Sequence, residues 1–162
     1  MQKELSETFF GHEKDLFYME KALLQAKRAY KKNEVPIGAV IVSKEGQIIA
    51  RAYNQVERKC SQVAHAELLA LQKAGKKIGH WRLVECYIYV TLEPCSMCLN
   101  SIYLSRCAGV VFAASSPKFG YRLDNVESNQ IYKKASLIVV KGIAEQKSAQ
   151  LLKNFFDKKR SK

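Results

Sequence analysis

Cys86-Tyr87-Ile88-Tyr89-Val90-Thr91, running on into Leu92-Glu93-Pro94-Cys95-Ser96-Met97-Cys98, is the stretch on which the fold turns. Its first six residues are mostly β-branched and aromatic, the composition of a strand. Pro94 suits the first position of a helix, where a missing N–H costs nothing, so a helix is expected from Pro94 to Leu104. Cys95 and Cys98 then lie in its first turn, three residues apart and on one face. Both sulfurs can reach one ion, and the positive end of the helix dipole favours thiolate over thiol.

A second short stretch, Ala64-His65-Ala66-Glu67, lies upstream and opens the apolar helical run Leu68, Leu69, Leu71. Two helix starts are thus expected to point at one ion. His65, Cys95 and Cys98 offer one imidazole and two thiolates, the ligand set of a catalytic zinc with an open fourth position. Glu67 stands two positions after His65, a spacing that does not put two side chains on one helix face. It is therefore expected to move protons and not to bind the metal.

Working outward, Leu16, Met19, Leu23, Ala26 and Tyr30 recur at helical spacing, giving an amphipathic helix from Glu13 to about Asn33. Ile37 to Val42 and Gln47 to Tyr53 are apolar or alternating runs joined by Lys44-Glu45-Gly46, a β-hairpin. Beyond the two metal-site helices come a short strand Gly109 to Ala113, an irregular loop, a strand Leu137 to Val140 and a final helix from about Ile143. Strands alternating with helices argue an α/β domain with a sheet covered on both faces. Residues 1–12 are expected to be a flexible N-terminal segment and residues 13–162 a single domain.

The formal charge is +12, from 27 Lys and Arg against 15 Asp and Glu, and it is spread along the chain. Such a balance points to a polyanionic partner, of which nucleic acid is the natural one. No stretch is long and apolar enough to cross a membrane. Five cysteines without an export signal read as a reducing, cytoplasmic setting and not as a disulfide framework, with Cys86 and Cys107 as inert core residues.

His65-x-Glu67 followed by Pro94-Cys95-x-x-Cys98 resembles the signature of the zinc-dependent cytidine/adenosine deaminase superfamily. Glu34-Val35-Pro36-Ile37-Gly38-Ala39, Arg51-Ala52-Tyr53-Asn54 and Thr91-Leu92-Glu93-Pro94-Cys95 are most similar to the bacterial tRNA-specific adenosine deaminases, and the likeness runs from about Asp15 to Phe155-Phe156. The resemblance implies a three-layer α/β/α cytidine deaminase-like fold with a five-stranded mixed sheet. It implies hydrolysis of adenosine to inosine at the wobble position of a tRNA anticodon, one Zn2+ per subunit, and a homodimer.

Glu67 is then the catalytic proton carrier, and His65, Cys95 and Cys98 the metal ligands. Asn54 is similar to the residue that holds the target nucleoside, although a turn residue after a strand explains it as well. The Ala66 N–H is placed to bond the developing oxygen. Lys118, Arg122, Lys158, Lys159 and Arg160 are candidates for contacts to the anticodon stem-loop backbone. Phe155 reads as core, and Phe156 as either core or a contact to a loop base.

Two stretches depart from the tRNA group's pattern. Ser61-Gln62-Val63 stands where Asp-Pro-Thr is usual, and Ser116-Pro117-Lys118-Phe119-Gly120-Tyr121-Arg122 where an Asp-x-Lys-x-Gly-Ala-Gly-like loop is usual. Both touch substrate contacts and leave the chemistry intact. The alternatives are a deaminase of a free nucleobase or nucleoside (cytosine, cytidine or guanine), against which the charge argues, and a non-catalytic zinc module that binds RNA. A structural site would close its fourth position with another protein ligand, such as Cys60 or Cys107, and would have no use for Glu67.

Overall fold

The structure, a computed structural model, describes residues 8–121 and 137–162. Its elements are α1 (His12–Lys31), β1 (Gly38–Ser43), β2 (Ile48–Tyr53), α2 (Val56–Lys59), α3 (Ala66–Ile78), β3 (Cys86–Leu92), α4 (Ser96–Leu104), β4 (Gly109–Ala114), β5 (Ile138–Lys141) and α5 (Glu145–Arg160). The strands form one five-stranded sheet in the order β2-β1-β3-β4-β5. β1 pairs antiparallel with β2 and with β3, whereas β3, β4 and β5 run parallel, so the sheet is mixed, as expected.

Both faces are covered. Ala39, Ile41, Ile88, Val90, Val110 and Phe112 point to one face and meet Ala66, Ala70 and Leu71 of α3 and Leu99 and Ile102 of α4. Their neighbours Val40, Val42, Tyr89, Val111 and Ala113 point to the other and meet Tyr18, Met19 and Ala22 of α1. Alternation of side chains across a strand makes both sets apolar, which is why the inner strands read as continuous apolar runs. α5 lies on the α1 face, its Phe155 packed edge-on to Tyr30. The result is the three-layer α/β/α architecture.

Close approach of α1 to the sheet depends on Gly38. A Cβ there would lie 2.1 Å from the Ala22 carbonyl oxygen and 2.5 Å from the Ala26 nitrogen, both backbone atoms that no rotamer change can move.

The described part of the segment 1–12 makes contacts with the domain. Phe9 and Phe10 pack against Tyr87, and Phe10 also against Tyr18. Their N–H groups donate to the buried Asp15 carboxylate at 2.9 and 3.2 Å. Tyr89 donates its hydroxyl to the same carboxylate at 2.8 Å. Burying that carboxyl group is tolerated because three donors satisfy it. The packed chain therefore reaches back to Phe9, and α1 starts at His12 and not at Glu13. The last helix likewise begins at Glu145, because Ala144 takes a left-handed conformation that Ile143 to Ala144 cannot continue as helix. Among the described residues, no helix is long and apolar enough to cross a membrane.

Candidate active site

The antiparallel and parallel pairings bring the end of β2, the start of β1 and the ends of β3 and β4 to one edge of the sheet. The chain leaves β3 at Leu92, where the Glu93 N–H donates to the Ala114 carbonyl at 2.7 Å and extends the pairing by one step. Pro94 then breaks the strand. Helix α4 begins at Ser96, so Pro94 precedes the helix and is not its first residue, a correction to the expected start. Cys95 is the N-cap, with extended backbone (φ −71, ψ 167), and Cys98 is the third helical residue. His65 occupies the same position at α3, as an N-cap with φ −70 and ψ 149. The two caps aim at each other from adjacent helices that pack on the same sheet face.

His65 Nδ1 lies 3.8 Å from Cys95 Sγ and 3.3 Å from Cys98 Sγ. The three ligand atoms lie within 4.8 Å of one another, and they form the group of this kind found among the described residues. A tetrahedral zinc with Zn–S of about 2.3 Å and Zn–N of about 2.0 Å spaces its nitrogen about 3.5 Å from each sulfur. The imidazole and thiol donors therefore fit such an ion. Cys60 is exposed, at the C-cap of α2, and its thiol points to the Glu57 carbonyl. Cys86 and Cys107 are buried, with burial pushing both thiols up, Cys107 to about 12. None of the three belongs to the cluster.

The cluster shares protons. Cys95 is pulled down to about 4, first by a hydrogen bond from the Cys98 thiol and then by His65. Cys98 is pushed far up by the same bond and by burial, since it is the partner that keeps the proton. His65 is raised, chiefly by its contact with the Cys95 sulfur. Glu67 is 4% exposed on the first turn of α3. Burial pushes its carboxyl from 4.5 up to about 7, with its own N–H, His65 and the Cys98 thiol pulling the other way. It touches the cluster but is not one of the three atoms that converge. Ala66 is the first residue of α3, where helix geometry gives the N–H no intrahelical acceptor.

Asn54 follows β2 and is buried, its Nδ2 donating to the Val35 carbonyl at 3.4 Å and its N–H to the Ile37 carbonyl at 3.0 Å. Lys118, Lys159 and Arg160 are exposed, and Arg160 is paired with Asp157 at 2.5 Å. Phe155 is core, as expected, while Phe156 is 44% exposed. Lys158 sits over the Tyr30 ring in the last turns of α1. Arg122 lies outside the described residues.

Two acids to which the sequence reading gave no role hold the site's frame. The buried Glu34 carboxylate accepts the N–H groups of Glu57 at 3.1 Å and Arg58 at 2.6 Å. It thereby caps α2, a four-residue helix that the sequence did not predict. Glu93 accepts the Ser116 N–H at 3.2 Å, and a Cβ on Gly120 would lie 2.2 Å from its Oε2. An acid immediately before Pro-Cys, and one immediately before Val-Pro, were the signals available.

Residues 12–114 match the cytidine and deoxycytidylate deaminase zinc-binding region. The chain belongs to this family. Within the deaminase family it is 42% identical over 151 residues to a tRNA-specific adenosine deaminase of Bacillus subtilis (strain 168), covering 91% of this chain and 92% of that one. Among solved structures it resembles one from a study of A-to-I editing by tRNA:A34 deaminases at the wobble position of transfer RNA. That structure has a TM-score of 0.77 and 36% identity, with 83% of this chain and 98% of the other covered. A guanine deaminase from Bacillus subtilis is similar at a TM-score of 0.59 and 34% identity, covering 72% of this chain and 73% of its own.

Proposed function

We propose that this deaminase hydrolyses adenosine to inosine at the wobble position of a tRNA anticodon. The observation that carries the reading is the convergence of His65 Nδ1, Cys95 Sγ and Cys98 Sγ beside the buried Glu67 carboxyl. A zinc ion held by those three atoms would supply a Lewis acid that makes water a nucleophile at neutral pH.

Glu67, buried and pushed up to about 7, is poised to hold or release a proton in that range. It takes a proton from the attacking water and delivers it to N1 of the adenine ring, then helps protonate the leaving amine. Water adds at C6, the C6–N bond breaks, and inosine and ammonia result. The Ala66 N–H bonds the oxygen that develops at C6, and Asn54 holds the nucleoside.

The target base must leave its stack to enter such a pocket. Lys118, Lys159 and Arg160 would hold the phosphates of the anticodon stem-loop while Phe156 packs beside a loop base, in keeping with the +12 charge. One zinc per chain and a homodimer accompany this reading through the family resemblance, and a cytoplasmic setting and a single domain through cysteine usage and chain length.

Likeness to a guanine deaminase favours a second reading, a free purine base as substrate. One experiment separates the two. Zinc-loaded protein is incubated in parallel with free guanine and with an anticodon stem-loop carrying wobble adenosine, with Glu67→Ala as the blank. Inosine in the RNA, scored by mass and absent from the blank, supports the proposal. Guanine turnover with the RNA and full-length tRNA inert overturns it.

A further inference from the structure

The loop after β4 carries an exposed aromatic ring and is tied to Glu93 and Pro94, the residues that precede Cys95. Phe119 is 76% exposed, the most exposed large apolar side chain among the described residues. A single exposed ring is ordinary on a protein surface, so what sets Phe119 apart is how its backbone is held.

That backbone is fixed. The Ser116 N–H donates to Glu93 Oε1 at 3.2 Å, and the Phe119 N–H donates back to Ser116 Oγ at 3.2 Å, closing a tight turn across Pro117 and Lys118. Gly120 presses on the Glu93 carboxylate so closely that a Cβ would lie 2.2 Å from its Oε2. The Tyr121 N–H then donates to the Pro94 carbonyl at 3.0 Å. Phe119 is thus held between attachments to Glu93 and Pro94, the two residues that lead into Cys95. Lys118, also exposed, sits next to it.

We infer that Phe119 is a stacking platform for the nucleotide adjacent to the deaminated adenosine, and so a specificity-determining residue for single-stranded loop RNA. The inference rests on the tRNA reading above. Turning one base out of a loop leaves its neighbour with an uncovered face, and an aromatic ring on a fixed backbone can take that face whatever the base. The adjacent ammonium of Lys118 suits the phosphate between the two nucleotides. Ser116 supplies, with its hydroxyl, the turn-closing acceptor that an acidic residue would otherwise provide at the head of this loop. A free nucleobase has no neighbouring nucleotide, so Phe119 would give it nothing.

The test compares wild type, Phe119→Ala, Phe119→Leu and Phe119→Trp on the wobble-adenosine stem-loop. Two further substrates carry an abasic site on the 5′ or the 3′ side of that adenosine. Zinc content is measured throughout. A stacked base is expected to show as a rise in KM of about ten-fold for the Ala and Leu variants, with kcat changed far less and with Trp close to wild type. One of the two abasic substrates should raise the wild-type KM comparably and cost Phe119→Ala nothing further, because the lost partner is the same.

An unchanged KM for Phe119→Ala, a Leu variant equal to wild type, or full additivity with both abasic substrates overturns the inference while leaving the deaminase reading intact. Wild-type protein that leaves the intact stem-loop unconverted overturns the reading and the inference together.

Discussion

Glu67→Gln should make the zinc-free protein more stable at alkaline pH while abolishing turnover of the zinc-loaded enzyme. Glu67 is buried, and burial raises its carboxyl from 4.5 to about 7. Below about pH 4.5 the acid is protonated in both folded and unfolded chains and costs nothing. Between pH 4.5 and 7 the folded chain keeps a proton that the unfolded chain releases, so stability is lost as pH rises through this window. Above pH 7 the charge is present in the folded state and the whole cost is felt. At about 1.4 kcal/mol for each tenfold change in acidity, the rise corresponds to about 3 kcal/mol.

Glutamine has nearly the same shape and no charge to desolvate, so it removes this cost. Urea unfolding of chelator-treated wild type and Glu67→Gln at about pH 8 should show the variant ahead by about 2–3 kcal/mol, with the gap closing towards pH 5. Comparing two proteins at each pH cancels, to first order, the titration of His65 and Cys95. A variant no more stable at pH 8, or equally advantaged at both pH values, would refute the argument that Glu67 is held in the folded chain against a desolvation cost.

Other consequences are separable. Cys95→Ala and Cys98→Ala should each lose zinc and activity together, measured by metal analysis and inosine formation, and an active metal-free variant would contradict the ligand assignment. Zinc affinity should fall as pH drops below neutral, because Cys98 is pushed up and His65 is raised, and both must give up protons to bind; competition with a chelator of known affinity measures it, and a flat profile would be inconsistent. Gly38→Ala should destabilise by about 3 kcal/mol or more in urea, since the added Cβ meets α1 backbone at 2.1 Å and overpacking cannot relax through rotamers.

The metal centre was legible because its chemistry is local. His65 and Glu67 begin one helix, and Cys95 and Cys98 flank the first turn of another, so spacing alone brings the right atoms to helix starts. Their exact cap positions were not legible, since Pro94 suits the first helical residue and the residue before the cap almost equally, and the β3–β4 pairing through Glu93 decides between them. The sheet was legible for a similar reason. Val40, Ile41 and Val42 form an unbroken apolar run because β1 is buried on both faces.

What escaped was tertiary. Helix α2 exists because Glu34, 23 residues before Glu57, lends it a carboxylate. The docking of Phe9 and Phe10 depends on Asp15, whose other partner Tyr89 is 74 residues away. Neither contact leaves a periodic trace in the sequence. Phe119 gave no signal of its own either, because only the loop's attachments to Glu93 and Pro94 show where its backbone is held.

The proposed chemistry requires a zinc site with three protein ligands and one place left for water. X-ray absorption of the zinc-loaded protein reads this directly. One nitrogen, two sulfurs and one light atom from solvent, unchanged in Glu67→Gln, is the result expected. A third sulfur, or a carboxylate shell that disappears with Glu67, would mean a closed site and contradict the deaminase mechanism.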